Sequence, residues 1–175
     1  MLISGNAQKI LKILHQLAVS VWMGGGLALV ILLHASGNAQ SDGELYGILR
    51  SFRFVNVYVV IYVGALGSFF TGLAYSICTN RGFFRHKWII LKWALTMYLI
   101  LAGSFMLGPW STFLLETAGK MGLAALSDPE YIRVSSLHWA LEIAGLFLFV
   151  AATAISVYKP WEIRESIALL KKKRK

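Results

Sequence analysis

The chain has 175 residues, of which 57% are hydrophobic and 14% are charged. Soluble domains usually contain about 25% charged residues. This composition therefore indicates a small integral membrane protein and excludes an ordinary soluble domain.

Apolar segments of membrane-crossing length predict an all-α fold, an integral membrane four-helix bundle. An α-helix needs roughly 20 predominantly apolar residues to cross the hydrocarbon core of a bilayer. The segments leave no stretch long enough for a separate soluble domain, so residues 1–175 are interpreted as a single transmembrane domain. The four helices are predicted at about residues 10–34, 54–78, 86–107 and 130–158.

Polar or mixed segments connect these helices. Residues 35–53 are predicted to be a polar connection, and Thr79-Asn80-Arg81-Gly82 is typical of a tight turn. Residues 108–127 form a longer connection with room for a short helix lying in the membrane interface. Ser127 or Asp128, before Pro129, predicts the start of the fourth helix, because either side chain can cap a helix N-terminus.

The net charge of +9 is divided unevenly between the two predicted faces of the membrane. The face with both termini carries twelve Lys and Arg residues, and the opposite face carries four. Cytoplasmic loops are enriched in these residues, so both termini are predicted to be cytoplasmic, in a multi-pass protein of a bacterial-type inner membrane. The basic residues 171–175 are predicted to contact anionic lipid headgroups rather than nucleic acid.

Small residues interrupt the first two predicted helices. Gly24-Gly25-Gly26 lies in the middle of the first, and Gly64, Ser68 and Gly72 recur at every fourth position of the second. In a membrane such residues allow a neighbouring helix backbone to approach closely. A flat macrocycle could use the same space, and both interpretations stay open.

All four histidines lie near the ends of predicted helices. Alternating crossings place His15 and His86 toward one face of the membrane, and His34 and His138 toward the other. Two neutral imidazoles at similar depth on neighbouring helices suit the axial positions of a b haem, so the layout predicts one or two haems. An ordinary interfacial histidine is the alternative at each position, and His15 is the first candidate ligand.

Two further ionisable residues lie inside predicted helices, where charge is costly and usually functional. Glu142 follows His138 by one turn, so the two share a face of the fourth helix. Lys92 lies in the third helix. Its long side chain either extends to the headgroups or points inward, toward a haem propionate, a quinone oxygen or an anionic substrate.

Short motifs in the first three helices carry a family resemblance. His15 lies seven residues before Trp22, which is followed by Met23-Gly24-Gly25. The second and third helices contain Thr71-Gly72 and Trp88-Ile89-Ile90-Leu91-Lys92. Together these motifs resemble CopD-type membrane proteins. The same layout is similar to HemJ-type protoporphyrinogen oxidases, which are small haem b membrane proteins.

The resemblance implies a haem ligated by His15 with a functional Lys92, as in HemJ-type enzymes, or copper handling, as in CopD-type proteins. Trp22 and Gly25, which belong to the first motif, would then contact the cofactor. The position two residues before Lys92 is a histidine in HemJ-type enzymes and is Ile90 in this chain.

These observations together predict a haem b-binding inner-membrane redox protein that transfers electrons to or from a quinone, superoxide or a porphyrinogen. The alternatives are a copper- or other metal-handling membrane protein without haem, and a structural subunit of a larger membrane complex. The predicted partners are membrane lipid, a small redox substrate, and a second copy of the chain or another membrane subunit. The predicted ligands of haem or metal are His15, His138, His86 and His34, with Trp22 and Gly25 as cofactor contacts and Lys92 and Glu142 as charge or proton partners.

Overall fold

The computed structural model describes residues 4–78 and 87–158, apart from the side chains of residues 87 and 88. All regular structure in this part of the chain is helical, which confirms the all-α prediction for it. Four helices are long and apolar enough to cross a membrane, as expected of a multi-pass membrane protein: Gly5–Ser36, Asp42–Cys78, Ile89–Ser127 and Pro129–Tyr158. The predicted turn at 79–82, His86 and the basic tail lie outside the described residues.

The first, second and fourth helices differ in how regular they are. The first is α1 (Gly5–Ser36), and the fourth is α6 (Pro129–Tyr158). The second runs without a break through α2 (Asp42–Phe54), a π-helical segment π1 (Val55–Leu66) and α3 (Gly67–Cys78). Its middle is therefore wound more widely than an α-helix.

The third helix also contains a π-helical segment. It comprises α4 (Lys87–Ala102), π2 (Gly103–Leu107) and α5 (Gly108–Met121), and a 3₁₀ segment (Gly122–Ser127) leads on to α6. In the bundle, α1 contacts the second helix and α6, and α6 contacts the third helix. Contacts between α2 and α5 close the ring of four helices at one end.

The second helix begins at Asp42, so the prediction that residues 42–53 are a polar connection is wrong. The Ser41 hydroxyl accepts a hydrogen bond from the Glu44 backbone N–H (3.2 Å), and the Glu44 carboxylate accepts one from the Gln40 N–H (2.8 Å). These bonds satisfy backbone N–H groups where the helix begins. The helix consequently starts well before the apolar segment.

The third helix likewise continues past its predicted end at residue 107, as far as Met121. Gly122 ends α5 with a φ of 57°, a left-handed conformation that glycine adopts readily. Asp128 then accepts a hydrogen bond from the Tyr131 N–H (2.8 Å), which confirms the predicted start of the fourth helix. Most of the connection predicted at 108–127 is thus helical.

These extensions form a hydrophobic core at one end of the bundle, called the capped end below. Leu45, Leu49 and Phe52 recur on one face of α2 and are almost completely buried. They pack against α5, the 3₁₀ segment and the adjoining ends of α1 and α6. The core consists of Leu29, Leu33, Ala39, Leu45, Leu49, Phe52, Leu114, Ala118, Ala125, Tyr131 and Val134.

Polar contacts join α2 to the third helix at the capped end. Asp42 accepts a hydrogen bond from the Leu123 backbone N–H (2.7 Å), and a side chain at Gly122 would collide with the same carboxylate. Near the other end of α2, Arg53 donates a hydrogen bond to the Thr112 hydroxyl. Both ends of α2 are therefore held in place.

The remainder of the bundle is called the open half below, and consists of π1, α3, α4, π2 and the remaining parts of α1 and α6. Large apolar side chains point outward there, among them Ile13, Phe70, Phe147 and Val157. In hydrocarbon an outward apolar side chain is already in an apolar solvent. The outer surface of the open half thus suits lipid.

Candidate functional site

His15 is held against α3 through one ring nitrogen. Its Nδ1 lies 3.1 Å from the Ser68 carbonyl oxygen and 3.0 Å from the Thr71 hydroxyl oxygen. A carbonyl only accepts hydrogen bonds, and the Thr71 hydroxyl donates its own proton to the Gly67 carbonyl (2.6 Å), so Nδ1 carries the proton. The other nitrogen, Nε2, then bears the lone pair with which a neutral imidazole ligates a metal.

A second predicted residue, Lys92, lies in the neighbourhood of His15. Lys92 of α4 lies close enough to His15 for an electrostatic interaction. Gly72 leaves space for the imidazole, because a Cβ there would lie 3.2 Å from His15 Cε1. The site therefore combines an oriented imidazole with a cation inside the span.

Trp22 and Gly25 take part in close helix packing. A Cβ at Gly64 would lie 2.7 Å from the Trp22 Cα, and a Cβ at Gly25 would lie 2.7 Å from the Val60 Cγ2. The indole of Trp22 also meets Phe149 edge-on, with ring centroids 5.3 Å apart. At Gly64 and Gly25, the small residues bring α1 against π1.

A cavity of about 130 Å³ lies among the four helices, near the middle of each. Both π-helical segments line it. Each long helix also contributes a small residue to its wall, which explains the missing side-chain volume. These residues are Gly26, Ala65, Gly103 and Gly145.

Polar side chains reach this cavity from three of the helices. Asn56 of π1, Ser104 of π2 and Glu142 of α6 all line it. Asn56 and Glu142 are buried, and Glu142 is 8% exposed. The predicted residue Glu142 thus faces the cavity.

His138 lies directly above Glu142 on α6 and is 0% exposed. Its Nε2 donates to the Leu107 carbonyl of π2 (3.2 Å), and its Nδ1 lies 4.0 Å from Glu142 Oε1, which confirms the predicted common face. Within the described residues, that Nδ1 has no hydrogen-bond partner. Phe52 meets the imidazole edge-on, with centroids 5.2 Å apart, so protein encloses the ring.

The other two histidines are placed differently. His34 is exposed in the last turn of α1 and borders a surface depression shared with Ser135 and Trp139 of α6. His138, on the same stretch of α6, turns into the protein instead, so the members of this predicted pair have different surroundings. His86, predicted at the same membrane face as His15, lies outside the described residues.

Sequence reasoning missed Asn56 and Ser104. A signal was available for Asn56, because it is an amide just inside the apolar run that begins at Phe54. Ser104 carries no comparable signal, since serine is common in membrane helices as a packing residue. Both become notable through the cavity that they line.

Among residues 4–78 and 87–158, no group of three or more His, Cys, Asp and Glu side chains could hold a metal ion. No family model matches the chain, and neither a curated protein nor a solved structure does.

Proposed function

We propose that this is a haem b-binding membrane redox protein in which His15 would hold the haem. The observation that carries the proposal is the orientation of His15, whose Nδ1 is anchored on Ser68 and Thr71 while Nε2 bears the lone pair. Metal-ligating histidines are usually fixed in this way through the nitrogen that does not bind the metal. A haem bound here would supply one-electron redox chemistry.

The surroundings of His15 fit such a group. Lys92 provides a cation that can pair with a propionate carboxylate, and Gly72 allows the imidazole to lie against α3. His86, predicted at the same face of the membrane, would be the first candidate for a second residue that holds the haem. The proposed electron partner is a quinone, superoxide or a porphyrinogen, in a bacterial-type inner membrane with both termini cytoplasmic.

A single haem is favoured over two. The Nε2 of His138 is already bonded to the Leu107 carbonyl, and its Nδ1 faces Glu142. Phe52 covers part of the same ring. An iron atom would need one of these nitrogens, so His138 suits a structural or proton-carrying role better than ligation.

The test compares His15→Ala with His34→Ala, since both positions are histidines of α1. Wild type, purified in detergent from haem-replete cells, is expected to show a b-type α-band in the reduced-minus-oxidised spectrum. His15→Ala should lose this band, and His34→Ala should keep it because His34 is exposed at the other end of the helix.

The outcomes separate the competing functions. A colourless wild type that binds copper would overturn the proposal in favour of metal handling, and a colourless wild type that co-purifies with a membrane complex would favour a structural subunit. Retention of the α-band in a correctly inserted His15→Ala protein would rule out His15 as the ligand.

Thr71 is assigned as a positioning residue for His15. Thr71→Val keeps the side-chain shape but removes the hydroxyl that accepts from Nδ1, while the Ser68 carbonyl remains. The haem is expected to be retained with an altered midpoint potential in a redox titration. Thr153→Val is the matched control, because that hydroxyl only donates within its own helix, to Phe149, and its potential should be unchanged.

A further inference from the structure

The size of the cavity restricts what it can hold. Its volume is about 130 Å³. A closed apolar cavity of about 150 Å³ accommodates benzene. The present cavity is not closed, since Met23 and Tyr98 of its wall are exposed. A single six-membered ring therefore matches its inner part in size and can carry substituents at the opening, whereas a porphyrin, with four pyrrole rings, is too large for it.

The glycines of the cavity wall leave space that helix contacts do not use. A Cβ at Gly103 would meet no described atom within 4 Å, and a Cβ at Gly145 would lie 3.6 Å from Leu99 Cδ2, an ordinary contact. Gly64, by contrast, is needed for close approach, since its Cβ would lie 2.7 Å from the Trp22 backbone. Gly26 is packed more closely, since its Cβ would lie 3.2 Å from Leu146 Cδ2. Gly103 and Gly145 thus preserve a space instead of closing one.

Few polar groups interrupt the apolar wall, and two of them are buried. The Asn56 amide offers N–H donors, and the Glu142 carboxyl group offers an acceptor. His138 Nδ1 lies 4.0 Å from the Glu142 Oε1. This nitrogen is buried and has no hydrogen-bond partner among the described residues. An apolar wall with a few converging polar groups is typical of a small-molecule site.

The backbone around the cavity is unusual as well. π1 contributes Asn56 to the wall, and π2 contributes Ser104. π-helical turns are rare in proteins and occur frequently at functional sites. Two such segments, on different helices, line this cavity, and they mark it as a candidate functional site.

From these observations we infer that the cavity binds the ring of a quinone. Asn56 donates to a carbonyl oxygen of the oxidised ring, and Glu142 accepts from a hydroxyl group of the reduced ring. The inference deepens the proposed function by naming the class of its redox partner. The redox role of the bound quinone rests on the proposed function, whereas quinone binding can be measured independently of it. Water is the competing occupant, since about four molecules of roughly 30 Å³ would fill the volume.

The test uses two probes of the same shape on the purified full-length chain in detergent. Tetramethyl-1,4-benzoquinone carries two carbonyl oxygens, and 1,2,4,5-tetramethylbenzene has the same ring and methyl groups without them. Calorimetric titration is expected to show saturable quinone binding about tenfold tighter than binding of the hydrocarbon. Equal affinities would overturn the assignment to quinones, and binding of neither probe would indicate a cavity that holds only water.

Variants locate the binding. Asn56→Leu should lower the quinone affinity to that of the hydrocarbon, and Gly103→Leu should abolish binding of both probes by filling the cavity. Gly24→Leu is the control, because Gly24 is exposed, lies outside the cavity and has open space beside it. Unchanged quinone binding in both Asn56→Leu and Gly103→Leu would overturn the location. If Gly103→Leu fails to fold, the affinities of the two probes for wild type and for Asn56→Leu still test whether the quinone binds at Asn56.

His15→Ala separates this inference from the haem proposal. The cavity lies about 10 Å along α1 from His15, at Trp22, given a rise of 1.5 Å per residue. The variant is therefore expected to lose haem while it still binds tetramethyl-1,4-benzoquinone. Loss of quinone binding in His15→Ala, with the fold intact, would show that the two sites are one and overturn the inference.

Discussion

At the capped end, large apolar side chains such as Leu49 and Phe52 lie inside the protein, whereas in the open half Phe70 and Phe147 point outward. The interior of the open half is instead occupied by small or polar residues, such as Ser68 against His15. The two regions belong to one bundle and share the same long helices. They differ in which side chains the protein encloses.

The solvent explains the difference. Glu44 and Arg50 are exposed on α2 at the capped end, as expected of a helix in water, which drives apolar side chains inward. Hydrocarbon gives no such drive, and membrane helices associate through close packing and polar contacts. Polar groups can therefore occupy the interior of the membrane-crossing part. His15, Asn56 and Glu142 all do so.

Phe52→Ala gives the largest expected effect on stability. Phe52 is 0% exposed, and its removal leaves a cavity against His138, so we expect a loss of about 3–5 kcal/mol in the free energy of unfolding. Denaturant titration in mixed micelles measures this quantity. Phe147→Ala is the control, since Phe147 is 73% exposed, and its effect should stay within about 0.5 kcal/mol. Equal losses in the two variants would contradict the distinction between the two regions.

The membrane spans could be predicted because hydropathy requires only a count of apolar residues. α2 could have been predicted as well: Ser41 and Glu44 have the spacing of a helix-capping pair, and Leu45, Leu49 and Phe52 recur at helical intervals. The low overall hydropathy of residues 35–53 outweighed these local signals. A membrane protein therefore needs both a hydropathy analysis and a search for amphipathic helices next to its spans.

The candidate site was predictable only in part. Glu142 and His138 share a face because their spacing is local, and the structure places them 4.0 Å apart. The anchoring of His15 depends on Ser68 and Thr71, which are distant in sequence. The cavity depends on how four helices meet, and π-helical winding has no hydrophobic period by which a sequence would reveal it. Such features require coordinates.

Gly64→Ala tests the close packing at the middle of the bundle. The new Cβ would lie 2.7 Å from the Trp22 Cα, and because backbone cannot rotate away, α1 and π1 must separate. A loss of about 1–3 kcal/mol is expected, measured as unfolding free energy in micelles. Gly103→Ala places its Cβ in open space, so it should be neutral or stabilise by up to about 1 kcal/mol. Similar destabilisation by both variants would mean that Gly103 also serves helix contact, and the cavity would lose its explanation.

Asp42→Ala has the smallest expected effect and examines whether the two regions are energetically separate. It removes the acceptor for the Leu123 N–H, at an expected cost of about 1 kcal/mol. Hydrogen exchange of the Leu123 amide should accelerate, whereas Asp42→Asn, which keeps a carbonyl oxygen, should largely preserve its protection. Haem content and quinone affinity should be unchanged in both variants, because Asp42 contacts only the capped end. A change in either would mean that destabilising the capped end also alters the interior of the bundle. The connection would run through Phe52 and His138, which link the hydrophobic core to Glu142.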